Sequence, residues 1–253
     1  MWRVFSASTT GKRNLEHDVA GQDACHCLVS GEVLVAVVCD GAGSAREART
    51  GSDFIARTLV EQLSSIVGAP SDTGLRGEVD GGLEATIRAA IENVRSQLAD
   101  LAASRALTLE DFSSTLVGCV CSPVGGCFFH IGDGFAIQQT ESGESVVSLP
   151  ENGEYADETY FVTDPNWKDH LRVTPLPAPE RGCVIGLMSD GTAPFAVNRG
   201  RSGFFRPFID PIGDFLRGAA PPHGNEALRN LLESPRACEI SPDDKTLLLA
   251  FVH

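Results

Sequence analysis

Apolar residues follow the spacing of strands in some segments of the chain and of helices in others. Between residues 33 and 39 they form an uninterrupted run, which predicts a buried strand. From Ala45 onward they recur every three or four residues, which predicts an amphipathic helix packed on a sheet; the same spacing returns between residues 83 and 101. A loop rich in Gly, Pro and Asp, residues 68–82, separates the two helices. The first helix is predicted to bury Phe54, Ile55, Leu59, Leu63 and Ile66 and to expose Arg46, Arg49, Asp53 and Arg57.

Short strands are predicted from Ser113 onward. Residues 115–121 and 127–131 flank the sequence Ser-Pro-Val-Gly-Gly, which is typical of a hairpin turn. Helices follow the first strands, and many strands then come without alternating helices, which predicts an α+β protein with antiparallel sheet. The later predicted strands are residues 135–138, 145–149, 159–163, 184–188 and 246–252.

The chain has 253 residues, enough for one large or two small domains. A segment at about residues 192–242 is rich in Gly, Pro and Phe and has helical patches at 212–216 and 226–232. We interpret it as an insertion over one end of the fold, so that residues 1–253 form a single domain.

Composition narrows the class of protein. Hydrophobic residues make up 42% and charged residues 21%, as in ordinary globular proteins, and no apolar run is long enough to span a membrane. The first dozen residues contain no secretory signal, so a cytoplasmic location is expected. The eight cysteines are then expected to be free thiols. Two pairs, Cys25 with Cys27 and Cys119 with Cys121, each lie on one face of a strand by their spacing and are expected to be buried.

The net charge of −14 comes from 20 basic and 34 acidic residues, and no block of Lys or Arg occurs. This charge argues against nucleic acid and anionic membranes as partners. An acidic chain can still bind phosphate when cations lie between the two.

Aspartates stand at the ends of several predicted strands. Asp40, Asp133 and Asp190 each follow an apolar strand and precede a glycine, and the pair Asp243-Asp244 precedes the last strand. One Asp-Gly pair alone indicates a turn. If the strands share a sandwich, however, four such ends gather carboxylates at one edge, where repulsion is costly without cations. Oxygen ligands without a nearby His or Cys set favour Mg²⁺ or Mn²⁺.

Six short motifs follow one another along the chain: Gln22-Asp23, Asp40-Gly41-Ala42-Gly43, Ser113-Ser114-Thr115, Gly132-Asp133-Gly134, Ser189-Asp190-Gly191 and Asp243-Asp244-Lys245-Thr246. Their order resembles that of the metal-dependent (type 2C, PPM) protein phosphatases, over nearly the whole chain. Each motif alone is weak, but six in the family's order are specific. Gly153-Glu154-Tyr155, with residues 158–161, is similar to a segment of a bacterial branch of that family.

The resemblance implies a four-layer α-β-β-α sandwich, two antiparallel sheets flanked by helices, with a two-metal centre at one edge. Asp40 would bridge both ions, and the Gly41 carbonyl would bind one of them. Asp190 and Asp243 would complete the partner site, and Asp23 would contribute directly or through water.

Asp133 matches the position that helps to hold a third, weaker ion in this family. The implied activity is hydrolysis of phosphoserine and phosphothreonine in proteins, with Mn²⁺ or Mg²⁺ as cofactor. Asp40 and Asp190 would act through a hydroxide that bridges the ions and attacks phosphorus in line. The implied partners are a phosphorylated protein substrate and a Ser/Thr kinase, in a bacterial signalling setting.

The chain departs from the family pattern at three positions. Asp18 stands where many members have a phosphate-binding Arg, and Arg13 or His17 is our candidate replacement. Gln22 replaces an acidic residue, and Ala42 replaces the His that some members carry. These departures keep a second hypothesis open, a non-catalytic phosphatase-like module that binds a phosphoprotein or a kinase.

A different enzyme class is also suggested by the glycines of residues 41–46, which follow a strand and open a helix as in a dinucleotide-binding domain. Arg46 stands where close helix packing needs a small residue, and no second parallel strand is predicted after the helix. The dinucleotide hypothesis is therefore weak.

Overall fold

The computed structural model describes residues 2–67, 82–151 and 159–252 of the chain. The loop predicted at residues 68–82 therefore lies almost wholly outside the described residues, as do Gly153, Glu154, Tyr155 and Glu158 of the bacterial-branch segment. Within the described ranges, ten strands pair into two antiparallel five-stranded sheets, with the orders β1-β10-β9-β6-β7 and β2-β3-β4-β5-β8. The strands are β1 (Trp2–Thr9), β2 (Ala24–Ser30), β3 (Val33–Cys39), β4 (Leu116–Ser122), β5 (Gly125–Ile131), β6 (Phe135–Gln139), β7 (Ser145–Ser148), β8 (Arg172–Leu176), β9 (Val184–Met188) and β10 (Lys245–Val252).

Helices cover the outer face of each sheet. The long helices α2 and α3 pack together on the β2-β3-β4-β5-β8 sheet, and α7 packs against β1 of the other sheet. Gly224 of α7 permits that contact, since a Cβ there would lie 2.3 Å from the Phe5 ring. The helices are α1 (Lys12–Glu16), α2 (Ala48–Val67), α3 (Gly82–Ser104), α4 (Trp167–His170), α5 (Ala193–Ala196), α6 (Arg206–Gly218), α7 (Pro221–Leu232) and α8 (Pro235–Ile240), with a 3₁₀ helix at Leu109–Phe112.

Apolar side chains pack in three layers between the four layers of secondary structure. Val37 of β3 and Leu59 of α2 lie in the layer between the first helices and their sheet. Val38 of β3 and Leu187 of β9 lie between the two sheets, and Leu249 of β10 packs with α5–α8 on the far side. Because both faces of β3 are covered, its apolar run is continuous. The predicted α-β-β-α sandwich is confirmed.

The segment interpreted as an insertion contains α5–α8. Its helices supply the layer that covers the outer face of the β1-β10-β9-β6-β7 sheet. The predicted helical patches at 212–216 and 226–232 fall inside α6 and α7.

Several predicted elements match closely, but the expectations for residues 159–163 and for Ile66 are wrong. Residues 159–163 do not form a strand, because Phe161 N–H donates to Asp164 Oδ2 (2.7 Å) in a turn while Val162 N–H donates to Ser114 O (2.9 Å). Ile66 is 52% exposed, because the buried face of α2 ends at Leu63.

The cysteines are all free thiols, as expected. Cys119 and Cys121 are buried between the sheets, whereas Cys25 and Cys27 are partly exposed. Burial of the latter two was therefore a wrong expectation, because β2 is an edge strand with an open side.

Strand β3 pairs antiparallel with both neighbours, β2 and β4, so the glycines that follow it do not belong to the parallel sheet of a dinucleotide-binding domain. In the described ranges, none of the helices combines the length and the apolar character needed to cross a membrane.

Candidate metal centre

Strand ends from both sheets bring four of the predicted carboxylates to one cavity of about 350 Å³. Asp40 follows β3, and Asp133 lies in the connection from β5 to β6. Asp190 follows β9, and Asp243 precedes β10. Gly41 also lines the cavity. The antiparallel order of the sheets therefore gathers residues that are far apart in sequence, as the strand-end pattern predicted.

The backbone of Asp40 is held by the Ser113-Ser114-Thr115 motif. Ser114 Oγ donates to the Asp40 carbonyl oxygen (2.9 Å), and Thr115 N–H donates to the same oxygen (2.8 Å). In return, Asp40 N–H donates to Thr115 Oγ1 (3.1 Å). The motif thus fixes the position of Asp40 at the end of β3.

Asp23 lies immediately before β2 and is 7% exposed. Ser189 Oγ donates to its Oδ2 (2.7 Å), while its Oδ1 is buried and has no hydrogen-bond partner among the described residues. Burial, with a smaller contribution from the charge of Asp244, raises the pKa of Asp23 to about 7. An unpartnered, buried carboxylate oxygen is suited to a cation or to a water held by one.

Asp23 does not line this cavity, and the carboxylates that do raise one another's pKa values. Burial raises the pKa of Asp40 well above its usual range, and the charges of Asp23, Asp190 and Asp133 add to that rise. Burial, followed by the charge of Asp190, raises the pKa of Asp133 to about 6. The pKa of Asp190 is raised chiefly by burial, and Asp243 contributes. Repulsion of this kind is relieved by protons or by divalent cations.

The two aspartates before β10 have different surroundings. Asp244 is 4% exposed and accepts hydrogen bonds from Gly11 N–H (2.6 Å), Gln22 N–H (2.6 Å) and Asn14 Nδ2 (2.9 Å). Asp243 is more exposed, and its Oδ2 lies 3.4 Å from Arg13 Nη1. Asp243 is therefore the one whose oxygens are more available to an ion.

The donor set fits a hard divalent cation, because it consists of carboxylate oxygens and backbone carbonyls. Over residues 2–67, 82–151 and 159–252, however, no three His, Cys, Asp or Glu side chains stand close enough together to hold one ion. Asp190 lies near enough to Asp40 for its charge to raise the pKa of the Asp40 carboxyl. Several of these side chains must therefore turn for three of them to coordinate the same ion.

The two candidate phosphate-binding residues differ in position. Arg13 lines the cavity at its mouth, with an exposed guanidinium. His17 is exposed just after α1 and does not line the cavity. Ala42 lines it, and the described lining residues include no histidine.

A neighbouring cavity of about 390 Å³ shares Asp133 and Asp190 with the first and is also lined by Arg199 and Arg201. Sequence reasoning did not single out these arginines, because they belong to no motif and stand in the segment interpreted as an insertion. The one available signal was the basic Arg-Gly-Arg sequence in an acidic chain. A larger cavity, of about 670 Å³, lies between α5, α6, α7 and α8, but its lining is mostly apolar and contains no carboxylate.

Comparisons with known proteins identify the relatives of this chain. The sequence matches the protein phosphatase 2C family over residues 10–233. Serine/threonine-protein phosphatase 3 of Escherichia coli (strain K12) is 29% identical over 257 residues, which cover 98% of each chain.

Two solved structures illustrate the structural similarity. The S. agalactiae serine/threonine phosphatase has a TM-score of 0.66 at 14% identity, with 100% of both chains covered. RsbX in complex with magnesium has a TM-score of 0.58 at 14% identity, with 100% of this chain and 96% of RsbX covered. At such identities these two similarities establish the fold alone.

Proposed function

The chain belongs to the protein phosphatase 2C family, and from this we propose that it removes phosphate from phosphoserine and phosphothreonine in proteins, with divalent cations as cofactors. The observation that carries the proposal is the convergence of Asp40, Asp133, Asp190 and Asp243 on one cavity from both sheets. A non-catalytic binding module is not favoured, since a scaffold without an ion gains nothing from clustered carboxylates that repel one another.

Asp40, Asp190 and Asp243 would hold two ions, together with the Gly41 carbonyl, and Asp133 would hold a third. Asp23 would support them through its unpartnered Oδ1. Bound Mg²⁺ or Mn²⁺ lowers the pKa of coordinated water and offsets the charge of a phosphate. Both ions prefer oxygen ligands, so the residues alone do not choose between them.

The residues of this chain have separate tasks around that centre. Ser114 and Thr115 hold the backbone of Asp40 in place, and Ser189 orients Asp23. The exposed guanidinium of Arg13 would attract the incoming phosphate at the mouth of the cavity, where its present neighbour is Asp243. The substrate is a phosphoprotein, which a Ser/Thr kinase must supply.

The test is hydrolysis of an aryl phosphate and of a phosphothreonine peptide with Mn²⁺, with Mg²⁺ and with a chelator. The wild type is expected to need a metal ion for both substrates. Asp190→Asn is expected to lower kcat/KM by about 100-fold or more, because it removes a charged oxygen ligand next to the reacting phosphate.

Asp100→Asn is the matched control, since Asp100 is exposed on α3 and does not line the cavity. It should behave as the wild type does. A wild type that binds Mn²⁺ and hydrolyses neither substrate would contradict the proposal and favour the binding module.

A further inference from the structure

A short hairpin beside the candidate metal centre presents two arginines. Val197 and Phe204 form its bridge, and Asn198 N–H donates to Gly203 O (3.0 Å). The turn is closed by Arg201 N–H, which donates to Asn198 O (2.9 Å), and Arg201 has a left-handed backbone with φ of 52°. A non-glycine residue held in that conformation is uncommon, and the surrounding hydrogen bonds maintain it.

The hairpin forms one side of the 390 Å³ cavity that Asp133 and Asp190 also line. Arg199 and Arg201 are both exposed there, and the Arg201 guanidinium carbon lies 5.9 Å from the centre of the Phe135 ring. That contact restrains a long side chain next to the cavity. A substrate whose phosphate reached Asp190 would therefore pass close to two guanidinium groups.

Within the part of the chain that the structure describes, the charges of these two arginines are not neutralised by ion pairs. Among residues 2–67, 82–151 and 159–252, no carboxylate oxygen lies within 4.0 Å of a nitrogen of Arg199 or Arg201. The nearby Arg206, by contrast, pairs with Asp210 at 2.8 Å. In a chain of net charge −14, two unpaired arginines on one hairpin form a local positive patch.

We propose that Arg199 and Arg201 bind a second anionic side chain of the substrate, a carboxylate or a second phosphate close in sequence to the phosphorylated residue. The inference rests on the proposed function, because it places the phosphate to be removed at the adjoining carboxylate cavity. It adds a preference among phosphoproteins, for acidic or multiply phosphorylated segments. A planar guanidinium with several donors suits both kinds of anion.

The preference is expected to be moderate and sensitive to salt. Exposed guanidinium groups interact with anions through screened charges, so two of them should give about a fivefold to tenfold preference at low ionic strength. Raising the salt concentration should reduce that preference without removing activity on a neutral peptide.

The experiment compares three phosphothreonine peptides that differ only beside the phosphothreonine: neutral flanks, glutamate flanks, or a second phosphothreonine. An aryl phosphate, which has no flanks, reports the basal activity. In the wild type, kcat/KM should be about fivefold to tenfold higher for each anionic peptide than for the neutral one. The Arg199→Gln/Arg201→Gln double variant should bring both ratios to about one and leave the aryl phosphate rate within about twofold.

Arg181→Gln is the matched control, because Arg181 is exposed and without an ion pair among the described residues, at the opposite end of β9 from Asp190. It should keep the wild-type ratios. If kcat/KM rises with the second phosphothreonine but not with the glutamate flanks, the proposal is restricted to phosphate. Equal rates on all three peptides in an active wild type, or ratios that survive in the double variant, would overturn it.

The same three peptides can be made as non-hydrolysable phosphonates, and fluorescence anisotropy then measures their binding. This measurement separates the anion-site proposal from the catalytic one. If the wild type hydrolyses nothing but still binds the anionic phosphonates more tightly through the two arginines, the proposed function fails and the anion site stands. If the wild type hydrolyses the peptides but prefers none of them in rate or in binding, the proposed function stands and the anion site fails.

Discussion

Asp243 and Asp244 are neighbours in sequence and both line the cavity, yet the side chain of Asp243 is partly exposed whereas the carboxylate of Asp244 anchors the chain around the cavity. The carboxylate of Asp244 accepts three hydrogen bonds that join β10 to residues near α1 and β2. The sequence identified both as candidates, and the resemblance favoured Asp243 as the ligand. The anchoring role could not be predicted, because the partners of Asp244 lie more than 220 positions away in the chain.

Replacing Asp244 by alanine should destabilise the protein far more than replacing Asp243. Asp244→Ala is expected to lower the free energy of unfolding by about 3 kcal/mol, because it leaves two buried backbone N–H groups without acceptors. Asp243→Ala removes one exposed ion pair and the hydrogen bond that Asp243 Oδ1 accepts from Asp244 N–H, and should change the free energy of unfolding by about 1 kcal/mol or less. Urea unfolding without metal ions measures both, and equal losses would contradict the assignment.

His130 shows a second residue-level consequence of burial. It is fully buried in β5; its Nδ1 is hydrogen bonded to Ser148 Oγ (3.0 Å), and its Nε2 has no partner among the described residues. Burial holds the pKa of His130 well below its usual range, and the charge of Arg172 lowers it further. The imidazole is therefore neutral in the folded protein, as expected for a histidine in an apolar strand.

Protonation of His130 should favour the unfolded chain. Because its folded pKa is depressed, its contribution is fully present above about pH 6.5, the unfolded pKa, and falls by up to about 1.4 kcal/mol per pH unit below that. His130→Gln should flatten the acid limb of a plot of unfolding free energy against pH. His223→Gln, at an exposed position, should not. Parallel acid limbs for the wild type and His130→Gln would refute this account.

At the scale of elements, prediction from the sequence succeeded where both faces of an element are buried or where one face is clearly apolar. Strands β3 and β9 match their predicted bounds, and α2 and α3 follow the predicted helical spacing. Strands β1 and β8 were missed because each lies at the edge of its sheet; β8 also contains Pro175, which is unusual within a strand. Edge strands bury less apolar surface, so they give a weaker pattern.

Helix α2 also packs very closely on the 3₁₀ helix at Leu109–Phe112. A Cβ on Gly51 would lie 2.1 Å from the Phe112 carbonyl oxygen, so only glycine fits there. This contact sets the position of the chain just before the Ser113-Ser114-Thr115 motif and therefore of Asp40.

Gly51→Ala should destabilise the protein by about 1–2 kcal/mol, because the clash with backbone outweighs the gain in helix propensity of about 1 kcal/mol. Gly213→Ala in α6 is the control, since its nearest neighbour would be at 3.6 Å, an ordinary contact. That change should be neutral or stabilising. Thermal and urea unfolding measure both variants, and a stabilised Gly51→Ala would be inconsistent with the close approach.

At the scale of the whole molecule, the two sheets share one apolar layer, and we propose that residues 1–253 unfold as a single domain. Trp2 lies in the layer between the sheets, and Trp167 lies in the layer under α2 and α3. They report on different parts of the same core.

Single-tryptophan variants, Trp2→Phe and Trp167→Phe, should each unfold in one transition. Within either variant, the fluorescence and far-ultraviolet circular dichroism midpoints should coincide. Separate midpoints would mean that the helical layer and the sheets are independent units, and that the single-domain prediction is wrong.

The position of β10 has a consequence for synthesis of the protein on the ribosome. It is the last described strand, yet it lies between β1 and β9 and pairs with β1 along its whole length, from Lys245 opposite Thr9 to Val252 opposite Trp2. Before residue 245 leaves the ribosome, the nascent chain can already form the β2-β3-β4-β5-β8 sheet and the helices that cover it. Strand β1 has no partner at that stage. Ribosomal stalling late in the message should therefore yield aggregation-prone products with an exposed strand edge.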